Sequence, residues 1–471
     1  MPVSDARTRD ARGCETRSSL TERRWFVPTV LATPFVIAVV ALRGLTVALP
    51  IFHGSDERVY QLPTILQFGA QLPFPDLGHY PAAQTPLLHL LLAYAGQLIG
   101  YEPWRLRLIE VVISYGLALA VFALLHRRLA LARLPGLILS LLFVLSPYVF
   151  GSSFRVITDN LATLLVVIAI ERLERYRETG RLGPFAVACA SIAAAMLTRQ
   201  STAFMLAVAG LYALRGGTTA RPPAPAFEAA RARAPARAHE TARARAPARA
   251  RETARARGAA LMLVGLAALP AGALFLTWHG LVPPGADPSS CGLCPAGRAS
   301  SPAGASGLEV QTAELTLATI GLYGAILFAP LRSPRVDRGA LAAAAAAALL
   351  LLIWPATPGT HAAGLLWNAA RRLPAIDGTP LLFWVLVPLA GVVLRGRIRA
   401  ASQPFRAVAF LSCFLLAALA IRYPWQKYVD PFALLGLLLT VRRDELSTPR
   451  ELAGAAALAL GFLAYTLSFV V

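Results

Sequence analysis

Long apolar runs recur along this chain from about residue 26 to its last residue, Val471. Each covers roughly 15–25 residues, enough for an α-helix to cross the ~30 Å hydrocarbon core of a bilayer. The runs are continuous and rich in Leu and Ala, whereas the strands of a membrane β-barrel alternate apolar and polar residues. Of the 471 residues, 56% are hydrophobic and only 15% are charged, against ~25% charged residues in a typical soluble chain. The sequence therefore predicts an all-α integral membrane protein.

The apolar runs predict about 11–13 transmembrane helices. After the first of them comes a mixed segment, residues 53–105, in which two moderately apolar pieces, 57–69 and 84–99, are short and interrupted by polar residues. We predict that these pieces are amphipathic helices at the membrane interface. The spans are placed near 26–52, 107–125, 134–150, 158–172, 183–197, 200–214, 259–278, 310–330, 339–355, 380–394, 405–421, 430–441 and 452–470.

The net charge of +20 would suit a nucleic-acid-binding protein, but the arginines are sorted by loop. Every strongly basic loop falls on one side of the predicted membrane, as cytoplasmic loops do, and we therefore expect no nucleic-acid partner. The chain divides into a cytoplasmic basic tail (1–24), an N-terminal membrane module (25–214) with the first outside loop 53–105, a linker (215–258) and a C-terminal membrane module (259–471). The Arg/Ala/Pro-rich linker cannot bury a core, so we predict that it is cytoplasmic and disordered.

An acidic pair, Asp56 and Glu57, follows the first span directly. Carboxylates beside a bilayer are costly, so their presence points to function. One carboxylate could act as a general base towards an acceptor hydroxyl while the other orients a cation or a neighbouring arginine. The alternative is structural, because Ser55 followed by two acidic residues is also typical of a helix N-terminus.

Two further charged positions fall on the same predicted face. Asp159 stands at the start of a span, where it could serve the site or simply cap the helix together with Thr158. Arg199 lies between two spans that are joined by almost no loop. An arginine held there must meet an anion, from the protein or from a phosphate.

The last candidate segment is 422–430, Arg-Tyr-Pro-Trp-Gln-Lys-Tyr-Val-Asp, which places Arg422 and Lys427 among aromatic residues. Lys427 is the only lysine among 45 basic residues. These cations could bind a phosphate at the outside interface. Alternatively, the segment is an aromatic belt with cations that reach towards the headgroups.

Together, these motifs resemble the C-type (GT-C) glycosyltransferases over roughly residues 50–215. Within that superfamily, the chain is most similar to the dolichyl-phosphate-glucose α-1,2-glucosyltransferases, which have an Asp-Glu pair, a Gln-rich helix with a Thr-Pro-Pro turn, a Thr-Asp motif and an Arg-Gln-Thr-Asn motif. This sequence departs from that pattern in having one Pro after Thr85 and Ser201-Thr202 in place of Thr-Asn. The corresponding stretches here are Ser55-Asp56-Glu57, Gln61 to Gln67, Gln84-Thr85-Pro86, Thr158-Asp159-Asn160 and Arg199-Gln200-Ser201.

The resemblance implies an inverting glycosyltransferase that takes a sugar from a polyprenyl-phosphate donor. Asp56 would be the general base, and Glu57 and Asp159 would position the acceptor or a divalent cation, Mg or Mn. Arg199, Arg422 and Lys427 would neutralise the departing phosphate.

The acceptor would be a lipid-linked or cell-envelope glycan among membrane lipids. The Ala- and Arg-rich composition favours a prokaryotic plasma membrane, with the site facing outside. A polytopic transporter or lipid flippase is the alternative, and it would need ionisable residues near mid-membrane.

Overall fold

The computed structural model describes residues 25–46, 56–216, 236–286, 310–329, 331, 336–357, 362–401, 403–421, 424–446 and 448–467. The predicted basic tail 1–24 and the candidate residue Arg422 lie outside these ranges. Within them the chain is almost entirely helical, which confirms the all-α class. The sheet in this part of the chain is one antiparallel pair of short strands, β1 (Ala375–Ile376) and β2 (Thr379–Pro380).

The first membrane module contains helices that follow the predicted spans closely. A π-helix, Asp56–Gln61, comes before α2, a π-helical turn, Leu124–Arg128, extends α4, and a 3₁₀ turn, Gln200–Ala203, comes before α9. The α-helices are α1 (Phe26–Ala41), α2 (Leu62–Gln71), α3 (Leu87–Ile99), α4 (Pro103–Ala123), α5 (Arg133–Leu145), α6 (Pro147–Ser152), α7 (Asp159–Thr179), α8 (Leu182–Thr198) and α9 (Phe204–Arg215).

The second membrane module continues in the same way and adds a short helix, α13, that the hydropathy pattern does not reveal. Its described helices are α10 (Ala236–Trp278), α11 (Val310–Phe328), α12 (Arg338–Ile353), α13 (Leu365–Ala370), α14 (Leu381–Ala400), α15 (Pro404–Ala418), α16 (Gln426–Leu438) and α17 (Pro449–Leu467).

Five described helices are long and apolar enough to cross a membrane, judged by length and composition alone. They are Pro103–Arg128, Glu252–Trp278, Val310–Phe328, Leu381–Ala400 and Pro449–Leu467. Other apolar helices are shorter, such as α5 and α8, and pack against these five to complete the core. One of these five helices therefore lies in the predicted N-terminal module, and the other four lie wholly or largely in the predicted C-terminal module.

The linker prediction differs from the structure from residue 236 onward, because α10 starts at Ala236 and runs without a break to Trp278. Residues 236–258, which were predicted to be disordered, are therefore helical. Ala and Arg rank among the best helix formers, so the composition that prevents a buried core still permits a helix. The sequence predicts a membrane span only from Ala259 onward.

The predicted interfacial pieces are helices α2 and α3, which pack against each other through Ile65, Phe68, Leu88 and Leu92. Side-chain hydrogen bonds fasten the turn between them to α8. The Thr85 hydroxyl donates to the Met196 carbonyl over 2.7 Å.

The hairpin of α7 and α8 brings two candidate residues together. Gly180 ends α7 in the left-handed region, with φ of 67°, which only glycine adopts at low cost. The chain then reverses into α8, and the two helices pack along their length. The start of α7, which carries Asp159, therefore lies beside the end of α8, which leads into Arg199.

Close helix packing in the second module depends on glycine. A Cβ atom added at Gly321 of α11 would lie 2.1 Å from the Leu386 carbonyl oxygen of α14. Because that neighbour is backbone, it cannot rotate away, so the two helices can approach only while residue 321 has no side chain.

We predict that Gly321→Ala lowers the thermal stability of the detergent-solubilised protein, since overpacking of this kind costs typically ~1–3 kcal/mol. Gly461→Ala is the matched control, because a Cβ atom there meets no atom within 4 Å and alanine favours the helix. Equal melting temperatures for the two variants would contradict the packing argument.

We also predict that a cysteine at the exposed Phe74 is labelled from outside intact cells by a membrane-impermeant maleimide, whereas one at Thr179 is not. Phe74 follows α2 in the predicted outside loop, and Thr179 ends α7 in a predicted cytoplasmic loop. The measurement uses a background without the five native cysteines, and permeabilised cells verify that Thr179→Cys is reactive. The opposite pattern would invert the topology.

Candidate functional site

Glu57 is buried in a bidentate ion pair with an arginine, one of the roles that the sequence offered for the acidic pair, although the sequence did not identify the partner. Its side chain is 2% exposed, and Arg107 of α4 donates Nε to Oε1 over 2.9 Å and Nη2 to Oε2 over 3.0 Å. The Val156 backbone N–H donates to Oε1 over 3.2 Å, and Arg107 Nη1 donates to the Leu45 carbonyl over 2.7 Å. Both carboxylate oxygens are therefore occupied, so Glu57 fixes the start of the π-helix and offers no open atom to a substrate.

Asp56 precedes Glu57 and is the accessible member of the pair. Its side chain is 34% exposed, and its Oδ2 accepts a hydrogen bond from Lys427 Nζ over 2.8 Å. The Lys427 ammonium also lies over the Trp425 ring, 4.5 Å from its centroid. The structure thus places two residues that are far apart in sequence in direct contact, and it leaves the Asp56 carboxylate partly exposed.

Asp159 forms a salt bridge with Arg199, as the α7–α8 hairpin requires. Thr158 is the N-cap of α7 but makes no side-chain capping bond, and Asp159 lies inside the first turn. The Arg199 guanidinium lies over the Tyr428 ring, 4.5 Å from its centroid. Arg199 also interacts electrostatically with Asp56, so the two acidic sites predicted from sequence belong to one cluster.

Arg155 is a further cation of this cluster. It is 4% exposed and lies in the loop between α6 and α7. Burial lowers the pKa of Arg155, whereas the neighbouring carboxylates Glu57 and Asp56 raise it. An arginine stays protonated even so. The cluster therefore brings four cations, Arg107, Arg155, Arg199 and Lys427, around the carboxylates Asp56, Glu57 and Asp159, and Glu110 interacts electrostatically with Glu57 from α4.

The carboxylates fit a protein-held divalent cation poorly. Glu57 is paired with Arg107, Asp159 with Arg199 and Asp56 with Lys427. Among the described residues, no group of three or more His, Cys, Asp or Glu side chains is arranged to hold a metal ion. A hard cation such as Mg²⁺ needs several oxygen ligands, whereas each of these three carboxylates is already paired with a cation of the chain.

The glutamines near the acidic pair form a buried polar chain next to the site. Gln61 ends the π-helix and donates its Nε2 to Gln84 Oε1 over 3.0 Å, while its Oε1 lies 2.7 Å from His89 Nε2. Gln200 reaches across to the same turn and donates to the Ala83 carbonyl over 2.7 Å. These residues hold the π-helix, α3 and the end of α8 in one arrangement and thereby support Asp56 and Arg199.

Sequence reasoning missed Arg107 and Arg155 and gave Tyr428 no role. A signal was present for Arg107, because an ionisable residue inside an apolar helix is a functional or pairing residue by default. Arg155 lies three residues before Thr158, and Tyr428 lies within the candidate segment 422–430, yet nothing in the local pattern shows which way either side chain faces. Arg422, the remaining candidate, lies outside the described residues.

A family model described as dolichyl-phosphate-mannose-protein mannosyltransferase matches residues 83–225. No curated protein and no solved structure matches the chain. The matched stretch contains the Asp159–Arg199 pair and Arg155, and it ends well before the second module. This match supports a membrane glycosyltransferase of the GT-C type, a coarser description than the glucosyltransferase family that the sequence motifs resemble.

Proposed function

We propose that the protein transfers a sugar from a polyprenyl-phosphate donor to a hydroxyl group of a lipid-linked or cell-envelope glycan, at the non-cytoplasmic face and with inversion. The observation that carries this proposal is Asp56, an accessible carboxylate set among cations by a π-helix. Helices of this type are rare and occur frequently at functional sites. The family match to residues 83–225 supports the same class of reaction.

Asp56 would act as the general base. The acceptor hydroxyl oxygen attacks the anomeric carbon from the face opposite the phosphate, and its proton passes to Asp56. The bond from the anomeric carbon to the phosphate oxygen breaks, and the electron pair leaves with the phosphate. Because attack and departure occur on opposite faces, the configuration at the anomeric carbon inverts.

The donor phosphate would bind Arg199 and Lys427, with Arg155 adding to the positive potential. Cations aimed at the leaving group stabilise the charge that develops on it, and a guanidinium matches phosphate oxygens well. Arg422 is proposed for the same role from its place in the sequence.

Lys427 would change partner when the donor binds. In the structure its ammonium occupies Oδ2 of Asp56. A donor phosphate that draws Lys427 away would leave that oxygen open to accept the proton of the acceptor hydroxyl.

Glu57 and Asp159 would act as positioning residues. Glu57 holds the peptide that carries Asp56 through Arg107, and Asp159 holds the guanidinium of Arg199. We therefore assign neither carboxylate to the acceptor itself. The transfer as proposed proceeds without the Mg or Mn ion that the resemblance implies.

Transport or lipid flipping is the second candidate function, and one observation favours it. Glu110 and Glu314 are fully buried, and neither has a hydrogen-bond partner for its carboxyl oxygens within the described part of the chain. Such groups are typical of proton pathways. However, at 1.5 Å per residue Glu110 lies only ~10 Å, and Glu314 only ~6 Å, from the start of its helix, whereas coupling sites lie near the midplane.

We predict that Asp56→Asn lowers transfer by a factor of ~10²–10⁴, the usual contribution of a general base, with little change in thermal stability. Turnover is measured with purified protein and a panel of radiolabelled polyprenyl-phosphate sugars. Asp76→Asn is the matched control, since Asp76 is an exposed carboxylate in the same loop, paired with His79. Near-normal turnover in Asp56→Asn would remove Asp56 from the chemistry.

Glu110→Gln and Glu314→Gln separate the two candidate functions. Glu314 makes no described contact with the Asp56 cluster, and Glu110 interacts with Glu57 only electrostatically. Because glutamine leaves the two Glu57–Arg107 hydrogen bonds in place, we expect both variants to transfer sugar at close to the wild-type rate. A proton-coupled transporter would instead lose flux, because glutamine cannot release a proton. Proton flux into liposomes that contain the wild-type protein, abolished in either variant, would favour transport.

A further inference from the structure

The buried carboxylate of Asp430 has no part in the mechanism above, although it lies one helical turn beyond Lys427. It is 0% exposed. The Ser146 hydroxyl donates to Oδ2, the Tyr323 hydroxyl donates to Oδ1, and Gln426 Nε2 lies 3.4 Å from Oδ1. All these donors are neutral. Burial of a carboxylate is costly unless its oxygens are hydrogen-bonded. Here three donors from separate parts of the chain form hydrogen bonds to the Asp430 oxygens and offset that cost.

The first turn of α16 lacks one of the backbone hydrogen bonds that a regular helix has. Pro431 lies inside the helix and has no N–H group to donate to the carbonyl of Lys427, four residues earlier. The turn from Gln426 to Asp430 carries Lys427 and Tyr428, the two residues that reach the candidate site. The position of this turn therefore depends more on side-chain contacts than the position of an ordinary helical turn does.

Gln426 connects the first turn of α16 to the short helix α13 and to the residues just before it. Its backbone N–H donates to the Ala363 carbonyl over 3.0 Å, and its Oε1 accepts from the Leu366 N–H over 2.8 Å. The Trp367 indole donates to the Pro424 carbonyl over 2.9 Å. The start of α16 is thus held between the segment around α13 and the Asp430 cluster.

We infer that Asp430 is a positioning residue, which holds the first turn of α16 through Ser146, Tyr323 and Gln426 so that Lys427 contacts Asp56 and Tyr428 contacts Arg199. The positioning itself is independent of the reaction. Its consequence for transfer rests on the proposed function.

The single lysine of the chain provides a direct measurement. An amine-reactive acylating reagent modifies Lys427, and mass spectrometry of the peptide that contains it gives the rate. With Asp430→Asn, we expect acylation to accelerate roughly three- to tenfold, the factor that corresponds to one lost hydrogen bond. Tyr323→Phe, which removes one hydroxyl donor and keeps the ring, should have a smaller effect in the same direction.

Glu174→Gln is the matched control. Glu174 is also 0% exposed and accepts a hydrogen bond from a tyrosine hydroxyl, that of Tyr212, but it lies at the far end of α7 from Asp159. An unchanged acylation rate in folded Asp430→Asn would overturn the inference, as would equal acceleration in the control. Should Asp430→Asn fail to fold, Tyr323→Phe decides by the same criteria.

A transfer assay then tests the consequence. The KM for the donor should rise in Asp430→Asn as it does in Lys427→Ala, and the double variant should lose little more than either single variant, because the two residues act through one contact. Additive losses would overturn the link between Asp430 and Lys427. If the wild-type protein transfers no sugar, the proposed function fails, while the acylation rates still decide whether Asp430 positions Lys427.

Discussion

The geometry of the candidate site depends on the ion pair between Glu57 and Arg107. Removing two charges from water is costly, and the cost is recovered only when the geometry is good and the remaining polar atoms are satisfied. Both conditions hold here, because the pair is bidentate and the Val156 N–H and the Leu45 carbonyl complete it. Through these hydrogen bonds, the pair connects the end of the first span, α4 and the loop before α7. Asp56 immediately precedes Glu57 in the chain, so the ion pair also fixes its position.

The second physical constraint is that the site is assembled from both membrane modules. Asp56 comes from the first module and Lys427 from the second, and Asp430 is bonded to Ser146 of the first module and Tyr323 of the second. Polar contacts of this kind are specific in a mostly apolar interior, since a misplaced donor leaves a buried group unpaired. The modules therefore have one favourable arrangement, and it is the arrangement that completes the cation cluster.

Hydropathy predicted most of the helices because a span is a local property of the sequence. The sequence also placed Asp159 and Arg199 on the same face and required an anion for Arg199, but it did not identify Asp159 as that anion. The contact between Asp56 and Lys427 joins residues separated by 371 positions, so no local pattern could reveal it. The same limit explains Glu57, for which the sequence predicted a positioning role towards the acceptor or a cation, whereas both of its oxygens are occupied by Arg107. The helix at 236–258 was missed for a different reason, since a polar, Arg-rich composition excludes a core without excluding a helix.

The identity of the cation at Asp56 matters for how such a site could work. Arg107 uses its planar fork to hold Glu57 with two bonds in fixed directions, which suits a permanent contact. Lys427 carries a compact charge on a flexible stem and makes one contact with one oxygen of Asp56, so it can turn towards a phosphate without breaking a second bond. In a chain with 45 basic residues and a single lysine, that lysine contacts the carboxylate that we propose as the general base. Arg107 instead holds the buried Glu57, where a charge fixed by two hydrogen bonds keeps the start of the π-helix in place.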